Sequence, residues 1–229
     1  GKVGEGKDIL EGERYDSPMK PWGGSEQIAW SPDGKTLAYT CKKKVGKEYS
    51  VSTNSEIYLY DTESGKTVNF TSGMMGYDQN PVFSPDGKYL SWESMERDGY
   101  EADKVRLFIA DLETGEKKDY SEGFDQNAHG LSWTEDGKSI WFISDIYATD
   151  EIYRLDIADG SIVRLTDGIH NYQSVVPAGE NLLAQKVSMS QPAELYLVDP
   201  VTGKEQALTT VNEGILSQLT MGEVEKRWM

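Results

Sequence analysis

The chain has 229 residues, of which 10% are aromatic, and a formal net charge of −16 at pH 7. An acidic balance of this size excludes the usual kind of nucleic-acid surface, because binding to phosphates needs clustered Lys and Arg. No apolar run is long enough to predict a transmembrane helix or a signal peptide, and a single cysteine, Cys41, excludes an internal disulfide.

Residues 1–24 carry prolines and glycines but no repeat. We expect them to form a loop or the tail of a preceding repeat unit.

The main signal in the sequence is a repeated hairpin. Trp30–Tyr39, Phe83–Trp92 and Trp133–Phe142 share one pattern at intervals of about fifty residues, a period typical of repeat architectures, and Val176–Ala184 is a degenerate fourth copy. In each full copy, alternating apolar residues flank a turn in which Asp can cap the backbone and Gly accepts a positive φ. The pattern predicts two antiparallel strands joined by a tight turn.

A second hairpin follows each copy, as in Glu56–Asp61 and its Gly65 turn. One copy of each hairpin makes up a repeat unit, and we expect every unit to form four antiparallel strands. The four units have boundaries near 25–73, 74–122, 123–168 and 169–212. Such units are typical of β-propeller blades, which must stack to bury their faces. A Greek-key sandwich would not repeat the same four strands four times. We predict an all-β fold, a segment of about four four-stranded blades (residues 25–212).

Two units carry insertions between their second and third strands. The first spans Lys42 to Ser55 and begins with a lysine run, 42–44, that we expect to be a solvated loop; the second spans Met95 to Lys104. Units three and four have almost no residues there. Since insertions at one position of a stacked repeat map to one face, this is the expected working face.

The repeated hairpins resemble those of TolB-type propellers and of the N-terminal propellers of the prolyl oligopeptidase family of serine peptidases. The stretch Glu96–Asp103 is similar to a loop of bacterial acylaminoacyl-peptidase and dipeptidyl-peptidase members, and Gly222–Trp228 to the segment that leads into their hydrolase domain. The resemblance implies a ring of seven or eight blades, with further blades before Gly1, an exit segment at 213–229 and an α/β-hydrolase partner domain after Met229. It also implies a periplasmic or secreted location.

The sequence itself offers no catalytic centre. A serine hydrolase of that family needs a G-x-S-x-G elbow, and the sequence has none. His129 and His170 are expected to be loop or turn residues, and no metal-ligand spacing is present. We therefore predict no catalytic residue, no metal and no cofactor in this chain.

The resemblance implies a non-catalytic propeller that gates the access of short peptides to an exopeptidase and helps to bind them. Our candidate substrate-binding residues are Arg97, Glu101 and Asp103. Glu101 or Asp103 would bind a free α-ammonium group, and Arg97 would orient the carboxylates or hold a substrate carbonyl. The alternative for each residue is a solvated, self-paired loop, and the Glu-Glu pair of some dipeptidyl peptidases is absent.

Other possibilities stay open. The chain could be a TolB-like scaffold that binds protein partners, or a small-molecule propeller with a lyase or hydrolase site. Residues before each first strand form a second candidate surface, although closing the loops between blades is their expected role: 77–80, 124–127 and 170–173. Exposed blade faces would also promote self-association.

Overall fold

The computed structural model describes residues 4–228, and within this range the chain is nearly all β. The residues form two compact units: one runs to Pro81 and includes Ser94–Asp103, and the other contains Val82–Glu93 and the residues from Lys104 onward. No helix in the described residues is long and apolar enough to cross a membrane.

The strands follow the predicted order, four to each sequence repeat. In the first two repeats they are β1 (Ile28–Trp30), β2 (Thr36–Cys41), β3 (Glu56–Asp61), β4 (Thr67–Asn69), β5 (Asp78–Phe83), β6 (Tyr89–Ser94), β7 (Arg106–Asp111) and β8 (Lys117–Asp119). In the last two they are β9 (His129–Trp133), β10 (Ser139–Ile146), β11 (Thr149–Asp156), β12 (Ile162–Arg164), β13 (Asn171–Ala178), β14 (Asn181–Ser188), β15 (Gln191–Val198) and β16 (Glu205–Ala207).

Each set of four strands pairs in chain order, as expected of propeller blades. The first sheet is β1-β2-β3-β4 and the second is β5-β6-β7-β8. The third and fourth sets are linked, in the described residues, by one parallel bridge between Asp150 and Asn171. The predicted segment of four four-stranded antiparallel blades is therefore confirmed.

The first turn of each blade is closed by side-chain hydrogen bonds. In the second blade the Ser84 hydroxyl donates to Asp86 Oδ1 at 2.7 Å and accepts from the Tyr89 N–H at 2.9 Å, while Asp86 also accepts from the Lys88 N–H. Gly87 adopts a φ of 72°, which a side chain would disfavour. The first and third blades repeat these bonds with the same geometry, whereas the fourth has neither the hydroxyl nor the Asp.

A second set of bonds closes the outer hairpins. An aspartate at the end of each third strand accepts backbone N–H groups of the following turn, and a glycine in the left-handed region completes it. A hydroxyl beyond each fourth strand then accepts an N–H from the third strand at 2.9–3.0 Å. These hydroxyls belong to Thr71, Ser121, Thr166 and Thr209.

Apolar faces of successive blades pack together in the second unit. One core joins strands of the second and third blades through residues such as Leu107, Trp133 and Phe142. Another joins the third and fourth blades through residues such as Trp141 and Leu182. Burial of these faces supplies the main apolar stabilisation of the stack.

In the first unit, the segment before the first blade covers one face of it. Ile9, Leu10 and Tyr15 pack against the cluster of Tyr39, Cys41, Tyr58 and Tyr60. Cys41 is fully buried, as expected, and burial raises its pKa to about 11. Trp30, the aromatic residue that precedes the first turn, is 58% exposed, whereas Tyr39 of β2 is packed in the cluster.

The described residues also contain two short α-helices, and a 3-10 helix (Ser25–Gln27) precedes β1. The first insertion contains α1 (Gly46–Val51), which the sequence did not predict, and α2 (Glu213–Leu216) follows the fourth blade. The third and fourth blades replace the insertion by tight hairpins, with Ile146 paired to Thr149 and Ser188 paired to Gln191. This difference between blades is as predicted.

The first-turn hydroxyl provides a test of fold stability. Ser84→Ala removes the acceptor of the Tyr89 N–H and the donor to Asp86 at a fully buried position, so the free energy of unfolding should fall by roughly 1–3 kcal/mol. Urea denaturation measures the change. Glu135→Ala, at an exposed position of the third-blade turn, is the matched control and should leave the denaturation curve unchanged; equal curves for both variants would contradict this role for the hydroxyl.

Candidate functional site

The second insertion is a loop held together by an internal ion pair. Arg97 Nη2 donates to Asp103 Oδ1 at 2.7 Å, and Arg97 Nε donates to Oδ2 at 3.2 Å. Oδ2 also accepts the backbone N–H groups of Glu96 and Arg97. The Asp103 side chain is only 9% exposed, whereas that of Arg97 is 59% exposed.

This pairing determines the charge state of the loop. The bond from Arg97 lowers the pKa of Asp103 to about 2. Because the folded pKa is depressed, the ion pair stabilises the loop above the ordinary carboxyl pKa, and this stabilisation is lost as the pH falls through about 2. Arg97 also stacks on Tyr100, with its guanidinium carbon 4.0 Å from the ring centroid.

A second acidic residue of the loop binds the first insertion. Asp98 Oδ1 accepts hydrogen bonds from the Ser52 hydroxyl at 2.6 Å, from the Thr53 N–H at 2.8 Å and from the Asn54 N–H at 3.1 Å. The bond from Ser52 lowers the pKa of Asp98. The Gly99 N–H in turn donates to Thr53 Oγ1. The two insertions therefore form one hydrogen-bonded structure.

Glu101 differs from the other carboxylates of the loop. Its one hydrogen bond in the described residues is a long contact from the Tyr77 hydroxyl, 3.4 Å from Oε1. The structure thus brings Arg97 and Asp103 into direct contact and leaves most of the acceptor capacity of Glu101 unused. The alternative of a self-paired loop therefore holds for Arg97 and Asp103, which pair with each other, but not for Glu101.

The lysine run of the first insertion is not a uniformly solvated loop. Lys42 is only 7% exposed, and its Nζ donates to the Ser52 carbonyl oxygen at 2.9 Å. The expectation of a solvated lysine is wrong for Lys42, because the rings of Tyr49 and Tyr77 lie within 4.1 Å and 5.9 Å of its Nζ. The only hint in the sequence is that Lys42 directly follows a buried strand.

The second predicted surface has two different roles. Asn127 accepts the Val105 N–H at 2.8 Å, and Asn171 accepts the Asp150 N–H at 3.3 Å, so these residues close loops between strands. By contrast, Tyr77, Gln79 and Asn80 line a cavity of about 290 Å³ in the first unit.

A larger cavity of about 690 Å³ lies in the second unit, at the tips of the third and fourth blades. Its lining includes Tyr147, His170 and Met189, and it is bounded by the last described residues. Trp228 packs edge-on against Tyr147, with the ring centroids 4.9 Å apart. The cavity is mostly apolar and was not anticipated from the sequence.

Both histidines lie beside buried glutamates. His129 begins β9, and its Nδ1 is 3.4 Å from Glu93 Oε2, which raises the pKa of the imidazole. His170 Nε2 is 3.4 Å from Oε2 of the fully buried Glu151. Glu93 and Glu151 also accept backbone N–H groups, so the first pair ties β9 to β6 and the second ties the loop after β12 to β11.

Comparison with known proteins gives a matching family model and a similar curated protein. The family model of the TolB beta propeller domain matches residues 27–216. Dipeptidyl-peptidase 5 of Porphyromonas gingivalis is 47% identical over 229 residues, which is all of this chain and 34% of that protein. The chain thus spans about a third of the length of the curated relative that it matches.

Solved structures show the same fold. TolB of Acinetobacter baumannii has a TM-score of 0.61 and 27% identity, over 80% of this chain and 43% of that chain. Acylaminoacyl peptidase of Pyrococcus horikoshii has a TM-score of 0.65 and 21% identity, over 84% of this chain and 28% of that chain. The predicted resemblance to TolB-type and peptidase propellers is confirmed.

The ion pair of the second insertion can be tested by proteolysis. Asp103→Asn removes the charge that holds Arg97 and should speed tryptic cleavage after Arg97 by roughly three- to tenfold, because the loop then opens more often. Mass mapping of a digestion time course measures the rate. Glu96→Gln, on an exposed neighbour with no side-chain hydrogen bond in the described residues, should cleave like the parent; faster cleavage of this control would show that loop charge alone governs access.

Proposed function

The chain belongs to the family of TolB beta propeller domains, and from that premise we propose that it is the propeller segment of a serine exopeptidase of the dipeptidyl-peptidase or acylaminoacyl-peptidase type. In this proposal the segment is non-catalytic, gates the access of short peptides to a C-terminal α/β-hydrolase domain, and helps to bind them. The likeness to a dipeptidyl-peptidase over the whole chain supports the parent enzyme class.

The single observation that carries the binding role is the state of Glu101. Asp98 accepts three hydrogen bonds from the protein and Asp103 accepts four, whereas Glu101 has in the described residues only the 3.4 Å contact from Tyr77. A carboxylate held on an ordered loop with spare acceptor capacity suits a substrate α-ammonium group. We propose that Glu101 binds this ammonium group and that Arg97 and Asp103 position the loop that carries it.

The fourth blade supports membership in a larger ring. Val176, Leu183 and Leu197 are cross-strand partners on one face, and Val176 is 46% exposed. The opposite face is buried against the third blade through Val175 and Leu182. An apolar face of this kind is what a further blade would cover. A total of seven or eight blades stays a prediction, as does the periplasmic or secreted location.

The amine-binding role is tested on the intact polypeptide that carries this chain. Glu101→Gln should lower kcat/KM for a dipeptidyl reporter with a free amine by about tenfold or more, since a charge-assisted bond is lost. The same reporter with an N-acetyl group should be hydrolysed at the parental rate. Glu96→Gln is the matched control from the same loop.

Two outcomes would count against the proposal. An equal loss on the free and acetylated reporters would mean that Glu101 acts only on folding. An intact polypeptide without a G-x-S-x-G hydrolase would remove the peptidase and favour the protein-binding scaffold instead.

Self-association follows from the exposed face of the fourth blade. We expect the 229-residue chain alone to sediment as a dimer or larger species, because association would bury that apolar face. Val176→Lys places a charge there and should shift the population to monomer in sedimentation velocity. Val163→Lys, at an exposed position of β12, is the control and should not; a monomeric parent chain would contradict the expectation.

A further inference from the structure

The first unit contains a buried ammonium group whose charge is poorly compensated. Lys42 Nζ donates to the Ser52 carbonyl oxygen and lies 4.1 Å from the ring centroid of Tyr49 and 5.9 Å from that of Tyr77. It forms no ion pair within 4 Å in the described residues. An ammonium group has three N–H donors, and one carbonyl satisfies only one of them.

The electrostatic balance at this lysine favours an anion. Burial lowers the pKa of Lys42, although Glu101 and Asp98 act in the opposite direction. The net direction is downward, so these two carboxylates do not offset the desolvation of the amine. A buried cation in this state is stabilised by an anionic group that enters from solvent.

The cavity beside Lys42 has room and donors for such a group. It encloses about 290 Å³, and its lining combines two lysines, one carboxylate that accepts the Gly24 N–H, three side-chain amides and apolar side chains: Lys20, Lys42, Glu26, Gln27, Gln79 and Asn80 are the charged and amide members. Gln27 uses its Oε1 to accept the Met19 N–H at 2.7 Å, which leaves its amide NH₂ as a donor. Lysine and amide N–H groups suit ligand oxygens.

Three further features of the lining point to a ligand rather than to a filled core. Asn80 Oδ1, an acceptor that suits an N–H of a peptide ligand and not its carboxylate, is buried without a hydrogen-bond partner in the described residues, and Asn80 has a φ of 55°. Buried unsatisfied polar atoms and left-handed residues other than glycine are uncommon and concentrate at functional sites. Trp22, also in the lining, is 91% exposed.

We infer that this cavity is a carboxylate-binding site in which Lys42 binds the C-terminal carboxylate of a short peptide, with the side-chain amides of the lining as additional donors. The apolar part of the lining, Met19, Pro21 and Trp22, would contact the peptide body. The inference rests on the proposed function only in taking a peptide as the source of the carboxylate, and it does not involve recognition of an amine.

Binding of N-acetylglycylalanine and of its C-terminal amide tests the inference by isothermal titration calorimetry on the 229-residue chain. Both probes lack an α-ammonium group, so the amine-binding role of Glu101 does not enter the measurement. The acid should bind at least about tenfold more tightly than the amide, because the amide cannot form a charge-assisted bond with Lys42. Equal affinities would overturn the site.

Three variants localise the effect. Lys42→Met keeps the length of the side chain and should weaken binding of the acid about tenfold or more. Asn80→Asp adds a negative charge to the same cavity, leaves the Lys42–Ser52 bond in place, and should weaken it likewise. Lys47→Met, on exposed α1, is the matched control and should bind the acid like the parent.

The remaining outcomes separate this inference from others. If Lys42→Met and Asn80→Asp both bind the acid with the affinity of the parent, the assignment is overturned. Two variants are used so that poor folding of one does not prevent the test. Sodium acetate that binds as tightly as the acid would overturn the peptide as the source of the carboxylate. Glu101→Gln should not weaken binding of the acid; if it does, the two sites are one and the inference fails.

Discussion

The structure depends on a hydrogen-bonded hydroxyl in the first turn of three of its blades. Ser31, Ser84 and Thr134 each bind the turn aspartate and the backbone N–H that begins the next strand. These bonds fix the register of the first hairpin, and register decides which side chains of the following strands face the neighbouring blade. These bonds close the end of the blade that carries the first turn. The insertions lie at the opposite end, between the second and third strands.

Sequence reasoning works well for the blades, because their determinants are local. A turn residue, its cap and the strand alternation lie within ten residues of one another, so four strands per unit and the short hairpins of the last two blades are predictable. Burial of an individual side chain is less local. Trp30 occupies the same motif position as Trp133, yet one is exposed and the other is packed between blades. The difference depends on which neighbour covers the strand.

The candidate site shows the same division. Arg97 and Asp103 are close in sequence, so their pairing was a foreseeable alternative, and the structure contains it. The bonds of Asp98 to the first insertion join residues about 45 positions apart, and no local pattern encodes them. The burial of Lys42 is hidden for a related reason. A run of lysines by itself predicts a solvated loop. The contacts of Lys42 with the rings of Tyr49 and Tyr77 depend on the fold and are not visible in the run.

The fourth blade has lost the hydroxyl and the aspartate of its first turn but not its fold. Its first three strands are eight residues long, against six or fewer in the first two blades. A two-residue connection around Gly179 therefore carries a long ladder of main-chain bonds. A hairpin can thus be closed either by side-chain hydrogen bonds in its turn or by a longer ladder of main-chain hydrogen bonds between its strands. The number of first turns with the hydroxyl and the aspartate is therefore a lower bound on the number of blades that a propeller sequence encodes.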